Sequence, residues 1–120
     1  MDTTHDPYRP ELLPEAVHAY LSGYDGETRD VERAAATFGP SAVVVDDGST
    51  YTGLDEIRTW LARSSSEYRF TTTYVGQERL GDDEWRVLAH LEGDFPGGTV
   101  DLGYRFTLQD GRIAALTIAP

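Results

Sequence analysis

The chain of 120 residues carries ten Arg, no Lys and 21 Asp plus Glu, which gives a formal net charge of −11. This acidic balance argues against the phosphates of nucleic acids or anionic lipids as natural partners. The absence of cysteine excludes disulfide scaffolds, thiol nucleophiles and iron–sulfur clusters, and the absence of lysine excludes Schiff-base chemistry. The length fits one domain with a substantial core.

Residues 1–12 contain Pro7 and Pro10 and show no apolar periodicity. We therefore expect a flexible N-terminal arm, followed by a single domain over residues 13–120. The N-terminus has neither the basic nor the apolar segment of a secretory signal. No later apolar run approaches the roughly 20 residues of a membrane span. We expect a soluble, cytoplasmic protein that does not bind membranes.

Two helices are predicted before the first strand. Apolar residues recur at helical spacing from Pro14 to about Tyr24, and Pro14 suits the first turn of a helix. Asp30 is a suitable N-cap for a second, short helix, which we expect to continue through Phe38 and to end at Gly39-Pro40. The buried stripe of the first helix would consist of Val17, Tyr20, Leu21 and Tyr24.

A strand and a third helix complete the first half of the chain. The β-branched run at 42–46 predicts a short strand, and the acids and glycine after it predict a turn. A helix that starts near Gly53 would follow this turn. Its buried face would consist of Leu54, Ile57, Trp60 and Leu61.

The second half of the chain is typical of strands. Apolar and polar residues alternate with a period of two, and Gly, Asp and Pro clusters separate the alternating segments. The predicted strands are 68–80, 84–95, 100–108 and 112–118. Helices followed by hairpin-linked strands predict an α+β fold, with the helices on one face of an antiparallel sheet. A strongly twisted sheet can wrap around its helices, and such wrapping would make a cone with a pocket at its mouth. The residue spacing alone does not predict this wrapping.

Two phrases carry a family resemblance: the run 42–46, which leads through Tyr51-Thr52-Gly53 into the third helix, and Tyr104-Arg105-Phe106 near the last turn. With the order of elements, they make Leu13 to Ile118 resemble the nuclear-transport-factor-2-like superfamily, the cone-shaped fold of SnoaL-like polyketide cyclases and ketosteroid isomerases. The resemblance implies three N-terminal helices on the concave face of a strongly curved antiparallel sheet. It also implies a pocket that binds a small apolar or aromatic molecule.

The resemblance further implies a catalytic pair. Asp46 falls where ketosteroid isomerases place the carboxylate that moves a proton between substrate carbons, and Tyr20 falls where they place the phenol that holds the enolate oxygen. A carboxylate in an apolar pocket is a stronger base, and a buried phenol donates to an oxyanion. The second oxyanion donor of that family, a protonated acid, is replaced here by Leu102. Tyr104, two residues further along the same strand face, is an alternative source of a hydroxyl.

The remaining candidate residues form the walls of this pocket. No cofactor is expected, and His5, His18 and His90 lack the spacing of metal ligands, so no metal is expected either. The candidate substrate-binding residues are Tyr24, Trp60, Leu91, Leu102, Tyr104 and Phe106.

Each candidate also has a structural interpretation. Asp46 can simply end a strand at a turn, while Tyr20 and Trp60 can be core residues. The alternative function is therefore a non-catalytic ligand-binding or dimerisation module. Strand parity places His90 on the outer sheet face, where the superfamily commonly forms homodimers.

Two further features leave alternatives open. An epoxide-hydrolase arrangement needs an Asp–Arg–Asp set in the pocket, but strand parity directs Arg105 and Asp101 outward. The segment 94–98 either forms a hairpin turn or places Phe95 over a ligand or a partner subunit.

Overall fold

The computed structural model describes residues 6–23, 30–67 and 70–120. These ranges contain three α-helices and six strands, preceded by a 3₁₀ turn at Pro10–Leu12. In chain order they are α1 (Glu15–Gly23), α2 (Val31–Ala35), β1 (Phe38–Asp46), β2 (Ser49–Thr52), α3 (Leu54–Glu67), β3 (Phe70–Gly81), β4 (Glu84–Gly93), β5 (Thr99–Gln109) and β6 (Arg112–Ala119). Among these helices, none is both long enough and apolar enough to cross a membrane.

The strands form one sheet in the order β2-β1-β6-β5-β4-β3. Strands β3 to β6 form the predicted antiparallel meander. Strand β1, however, pairs parallel to β6, so the sheet is mixed and not antiparallel throughout. Local turn signals predict the pairing of consecutive strands, whereas the pairing of the first long strand with the last depends on the whole topology.

The turn predicted after Asp46 leads directly into a strand that the sequence analysis missed. Asp47 and Gly48 have φ values of 52° and 78° and connect β1 to β2 in a tight hairpin. Asp-Gly pairs favour such turns because both central residues need positive φ. Strand β2 was missed because its four residues, Ser-Thr-Tyr-Thr, show no apolar alternation.

Helix α2 is shorter than expected. The Asp30 side chain accepts a hydrogen bond from the Arg33 backbone N–H at 3.1 Å, which confirms the predicted N-cap. The expected extension through Phe38 to Gly39-Pro40 is wrong, because Phe38 begins β1. The Thr37 carbonyl accepts a hydrogen bond from the N–H of Ile113 on β6, so the chain has already joined the sheet at this point.

The core lies between the helices and the concave face of the curved sheet, which we call the inner face. The predicted inward positions of β4 are confirmed, since Val87, Ala89 and Leu91 are all buried. Helix α3 buries the stripe that its sequence predicts, with Ile57 and Leu61 fully inside. Helices on one face of a curved sheet confirm the predicted α+β fold.

One row of cross-strand neighbours positions the candidate site. It runs along the inner face from Asp46 on β1 through Ile118, Tyr104 and Val87 to Gln77 on β3. We call these five residues the inner row. Because adjacent strands lie about 4.8 Å apart, four strand spacings, or about 19 Å along the sheet, separate its two ends.

Residues 6–12 lie beside the β3 end of this row and are called the N-terminal arm. The backbones of Asp6 and Gln77 exchange two hydrogen bonds, at 2.8 and 2.9 Å. The Arg9 backbone N–H also donates to Oε1 of Gln77 at 2.8 Å. The arm therefore pairs with the outer edge of β3, which lies at one end of the sheet.

Candidate functional site

Asp46 lies at the end of β1 and its side chain contacts helix α3. The indole Nε1–H of Trp60 donates to Oδ2 of Asp46 at 3.0 Å. The carboxyl-bearing residue is half-buried, and Trp60 is only 2% exposed. Strand alternation explains this orientation, since Asp46 shares the inner face with the buried Ala42 and Val44. A carboxylate is therefore held at the boundary between the helix layer and the sheet.

Two residues that the sequence analysis missed extend this contact. The ring centroid of Tyr51 on β2 lies 6.0 Å from that of Trp60. The Arg63 guanidinium lies 5.5 Å from the Tyr51 ring centroid and donates to the Tyr51 hydroxyl. The helical spacing of Trp60 and Arg63 is the signal that could have found this set, because residues three apart are neighbours on a helix. Asp46, Tyr51, Trp60 and Arg63 together form what we call the Asp46 cluster.

Tyr20 lies in the core on helix α1. It is 3% exposed, and its ring makes edge contacts with Phe38 and Phe106, with ring centroids 5.7 and 5.9 Å apart. Phe106 is fully buried, as its predicted inward orientation requires. The structure thus brings Tyr20 together with one predicted pocket residue, Phe106.

The other predicted pocket residues on strands share the inner face. Tyr104 belongs to the inner row, separated from Asp46 by Ile118 alone, and both it and Leu102 are half-buried against the core. Leu91 lies further along the same face and is buried. Tyr24, which was predicted as a pocket residue, lies outside the described residues.

The outer face of the sheet carries the remaining charged candidates. Arg105 donates to Glu84 at 2.7 Å, and Nδ1 of His90 lies 2.6 Å from Oδ1 of Asp101. This hydrogen bond, followed by the charges of Asp101 and Glu92, raises the pKa of His90 above its usual 6.5. Arg105 and Asp101 are thus paired with other residues on the face opposite to Asp46. These two residues therefore do not form an Asp–Arg–Asp set with Asp46 for epoxide opening.

The segment between β4 and β5 forms a tight turn. The Gly98 N–H donates to the Phe95 carbonyl at 3.0 Å, and the Gly93 N–H donates to the Gly98 carbonyl at 2.9 Å. Gly97 and Gly98 have φ values of 91° and 76°, which glycine adopts without strain. This peptide therefore forms the turn of the β4–β5 hairpin.

Three cavities that described residues line lie away from Tyr20 and Asp46. One, of about 470 Å³, lies beside the turn between β5 and β6. A second, of about 500 Å³, opens on the outer face beside Arg86, Gly103 and Arg105. The third, of about 310 Å³, lies between the N-terminal arm and β3. Within the described ranges, no group of three or more His, Asp or Glu side chains is placed to hold a metal ion.

Helices on the inner face of a curved, open, six-stranded sheet define a ketosteroid isomerase-like fold, and solved structures agree. A "putative polyketide cyclase" from Sinorhizobium meliloti superposes with a TM-score of 0.85 at 32% identity, covering 93% of this chain and 100% of that one. A protein with a ketosteroid isomerase-like fold from Catenulispora acidiphila, in complex with trimethylamine, has a TM-score of 0.75 at 21% identity, with 89% and 85% covered. TerC, co-crystallised with polyporic acid, has a TM-score of 0.75 at 20% identity, with 92% and 91% covered.

The family profile of the SnoaL-like domain matches residues 15–116. The chain therefore belongs to the SnoaL-like domain family, as the resemblance in its sequence implied. No functionally curated protein matches the chain.

Proposed function

We propose that this SnoaL-like protein binds a small apolar carbonyl or aromatic molecule and catalyses cofactor-free proton transfer on it, as an isomerase or a cyclase. Asp46 is the acid/base residue. The observation that carries the proposal is the 3.0 Å hydrogen bond from the buried indole of Trp60 to the half-buried carboxylate of Asp46. A carboxylate fixed by a donor beside apolar groups is placed to act on a carbon next to a carbonyl.

In this mechanism Asp46 removes a proton from the carbon beside the carbonyl group. The electron pair of the broken C–H bond forms an enolate, whose oxygen accepts a hydrogen bond from a phenol. Asp46 then returns the proton to the same carbon or to a conjugated one, so the enzyme is regenerated without an external acid. Tyr20 is the proposed phenol, and Tyr104 on the inner row is the candidate for the second donor that Leu102 cannot supply.

Two of the similar structures favour a small organic ligand. The Sinorhizobium meliloti relative carries a cyclase name, and TerC was crystallised with polyporic acid. On this chain, the Trp60 and Tyr51 rings next to Asp46 provide aromatic surface for such a molecule. We therefore choose phenols, as enolate mimics, and cyclic ketones as the first probes.

The experiment measures exchange of the α-protons of a cyclic ketone panel with deuterated solvent by NMR. Asp46→Asn should lower the enzyme-catalysed exchange rate by at least about a hundredfold, because the amide cannot accept the proton. Its matched control is Asp47→Asn, which removes the same charge from the exposed turn residue next in the chain. Equal exchange rates in the two variants would refute the role of Asp46.

The two phenols are separated by hydroxyl deletion. Tyr20→Phe and Tyr104→Phe each keep the ring and remove one donor. Loss of an oxyanion donor lowers the catalysed rate by about a hundredfold or more. If only Tyr104→Phe lowers the exchange rate, Tyr104 is the oxyanion donor and Tyr20 is a core residue.

The alternative is a non-catalytic ligand-binding or dimerisation module of the same fold. The deep burial of Tyr20 and Trp60, at 3% and 2% exposure, favours it, since both side chains then serve the core. Under this alternative no ketone shows catalysed exchange. Asp46→Asn then changes only the thermal midpoint, and phenols give the same midpoint shift in the wild type and the variant.

We also propose a homodimer formed through the outer sheet face. Charges of both signs alternate there, in the pairs Arg86–Glu78 and Arg105–Glu84, and a two-fold interface needs such self-complementarity. Leu88, half-buried between these pairs and His90, provides an apolar centre. Sedimentation should show a dimer that Leu88→Asp converts to a monomer, and a monomeric wild type would refute the assignment.

A further inference from the structure

The cavity of about 310 Å³ between the N-terminal arm and the sheet has a composition unlike that of the Asp46 cluster. Its walls include Arg9 and Leu12 from the arm, Gln77 and Arg79 from β3, and Trp85 from β4. Gln77 forms the inner-row end opposite to Asp46. Trp85 is the cross-strand neighbour of Arg79, two pairs further along β3 and β4. The cavity is therefore separate from the proposed catalytic site and independent of that proposal.

The polar groups of this cavity are mainly hydrogen-bond donors. Gln77 is 3% exposed; its Oε1 accepts the Arg9 backbone N–H, but among the described residues its Nε2 amide has no acceptor. Within the same residues, neither the Arg9 guanidinium nor the Trp85 indole N–H has an acceptor. A buried amide that donates to no protein group is uncommon, because an unpaired buried donor costs about 1–3 kcal/mol.

Charge and shape limit what can fill this space. Arg79 adds a second guanidinium, which is only partly engaged by the Gly81 carbonyl at 3.1 Å and by Asp82 at 3.7 Å. Among the described residues that line the cavity, Asp6 is the one acid. Two guanidinium groups outweigh one carboxylate, in a protein whose net charge is otherwise strongly negative. The half-buried indole and Leu12 supply apolar surface beside these donors.

We propose that this cavity is a second binding site, for a small aromatic carboxylate. The ring of the ligand lies against Trp85 and Leu12. Its carboxylate accepts hydrogen bonds from Arg9 and from Nε2 of Gln77, which gives the buried amide the partner it lacks. A planar carboxylate matches the planar guanidinium fork, and a volume near 300 Å³ is at the lower end of ligand pockets.

The test uses benzoate as the probe and the two tryptophans of the chain as reporters. In a ¹⁵N-labelled sample the two indole N–H signals are assigned with Trp85→Phe. Benzoate should shift the Trp85 signal to saturation, because Trp85 lines the cavity. The Trp60 signal should stay in place, because Trp60 contacts Asp46 at the other end of the inner row. Benzamide, which has the same shape without the charge, and inorganic phosphate, which has charge without a ring, should each bind at least about tenfold more weakly.

Arg9→Gln is the deciding variant: the Arg9 side chain is exposed, and its bond to Gln77 uses the backbone N–H, so we expect the variant to keep the fold. It should weaken benzoate binding by about tenfold or more, as expected for a lost charge-assisted bond. Arg112→Gln removes an equal charge from the exposed start of β6 and should leave the affinity unchanged. The proposal is overturned by a Trp85 shift that does not saturate, by equal shifts with benzamide or phosphate, by equal affinities in the two variants, or by movement of the Trp60 signal instead.

Discussion

The two ends of the inner row differ in what covers them. At the Asp46 end, helix α3 places the Trp60 indole against a carboxylate, so a side-chain acceptor meets a side-chain donor. At the Gln77 end, an extended arm replaces the helix, and its backbone takes up the acceptor of the Gln77 amide. Strand alternation put polar residues on the inner face at both ends. The element that packs on each end makes the difference: helix α3 leaves a carboxylate at one end, and the N-terminal arm leaves hydrogen-bond donors at the other.

The largest effect on the free energy of unfolding is expected from replacing Trp60, through which helix α3 contacts Asp46. Trp60→Ala should lower the free energy of unfolding by about 3–5 kcal/mol, because it leaves a cavity in the core and removes the donor to Asp46. Urea denaturation measures this change. Trp60→Phe, which keeps most of the ring volume, should cost far less. If both variants cost the same, the hydrogen bond and not the packing stabilises this end.

A smaller effect on stability is expected from replacing Gln77, which contacts the N-terminal arm. Gln77→Leu removes the acceptor of the Arg9 N–H, but it also removes the unpaired amide donor and keeps the two backbone bonds to Asp6. Because these changes oppose each other, the free energy of unfolding should change by no more than about 1 kcal/mol. Amide hydrogen exchange at Arg9 should become faster. Gln109→Leu, an exposed position at the end of β5, is the matched control. A loss as large as that of Trp60→Ala would show that the arm is as important to the fold as helix α3.

The smallest effect on stability is expected from the His90–Asp101 pair on the outer face, which contacts neither end of the inner row. The bond to Asp101 raises the pKa of His90 above 6.5 in the folded protein. The stabilisation from this pair is therefore complete below the unfolded pKa, near 6.5, and is lost as the pH rises through the folded pKa. An NMR titration of the His90 ring should show the raised value, and Asp101→Asn should lower it. An unchanged pKa in that variant would assign the shift to Glu92.

The parts of the fold that obey local periodicity were predictable from the sequence. Alternation in β4 and β5 placed Leu91 and Phe106 on the inner face, and the helical stripe of α3 placed Trp60 in the core. A helix stripe and a strand alternation each define a face, and both were read correctly because one face of each element is buried.

The contacts between elements were not predictable in this way. Trp60 and Asp46 are 14 positions apart, and their bond depends on how α3 is set along β1. Tyr51 was overlooked because its strand is short and polar. Gln77 was not singled out, because the burial of its carboxamide depends on an arm that approaches from 68 positions earlier in the sequence.

The parallel pairing of β1 with β6 has a consequence for the synthesis of the chain. More than half of the sequence lies between these two strands, so β1 leaves the ribosome long before its neighbour exists. Strand β6 also separates β1 from β5, and it is the only link between the β1–β2 hairpin and the β3–β5 meander within the described sheet. A nascent chain that lacks only the last strand therefore carries two separate sheet fragments with open edges, which is the form most exposed to aggregation.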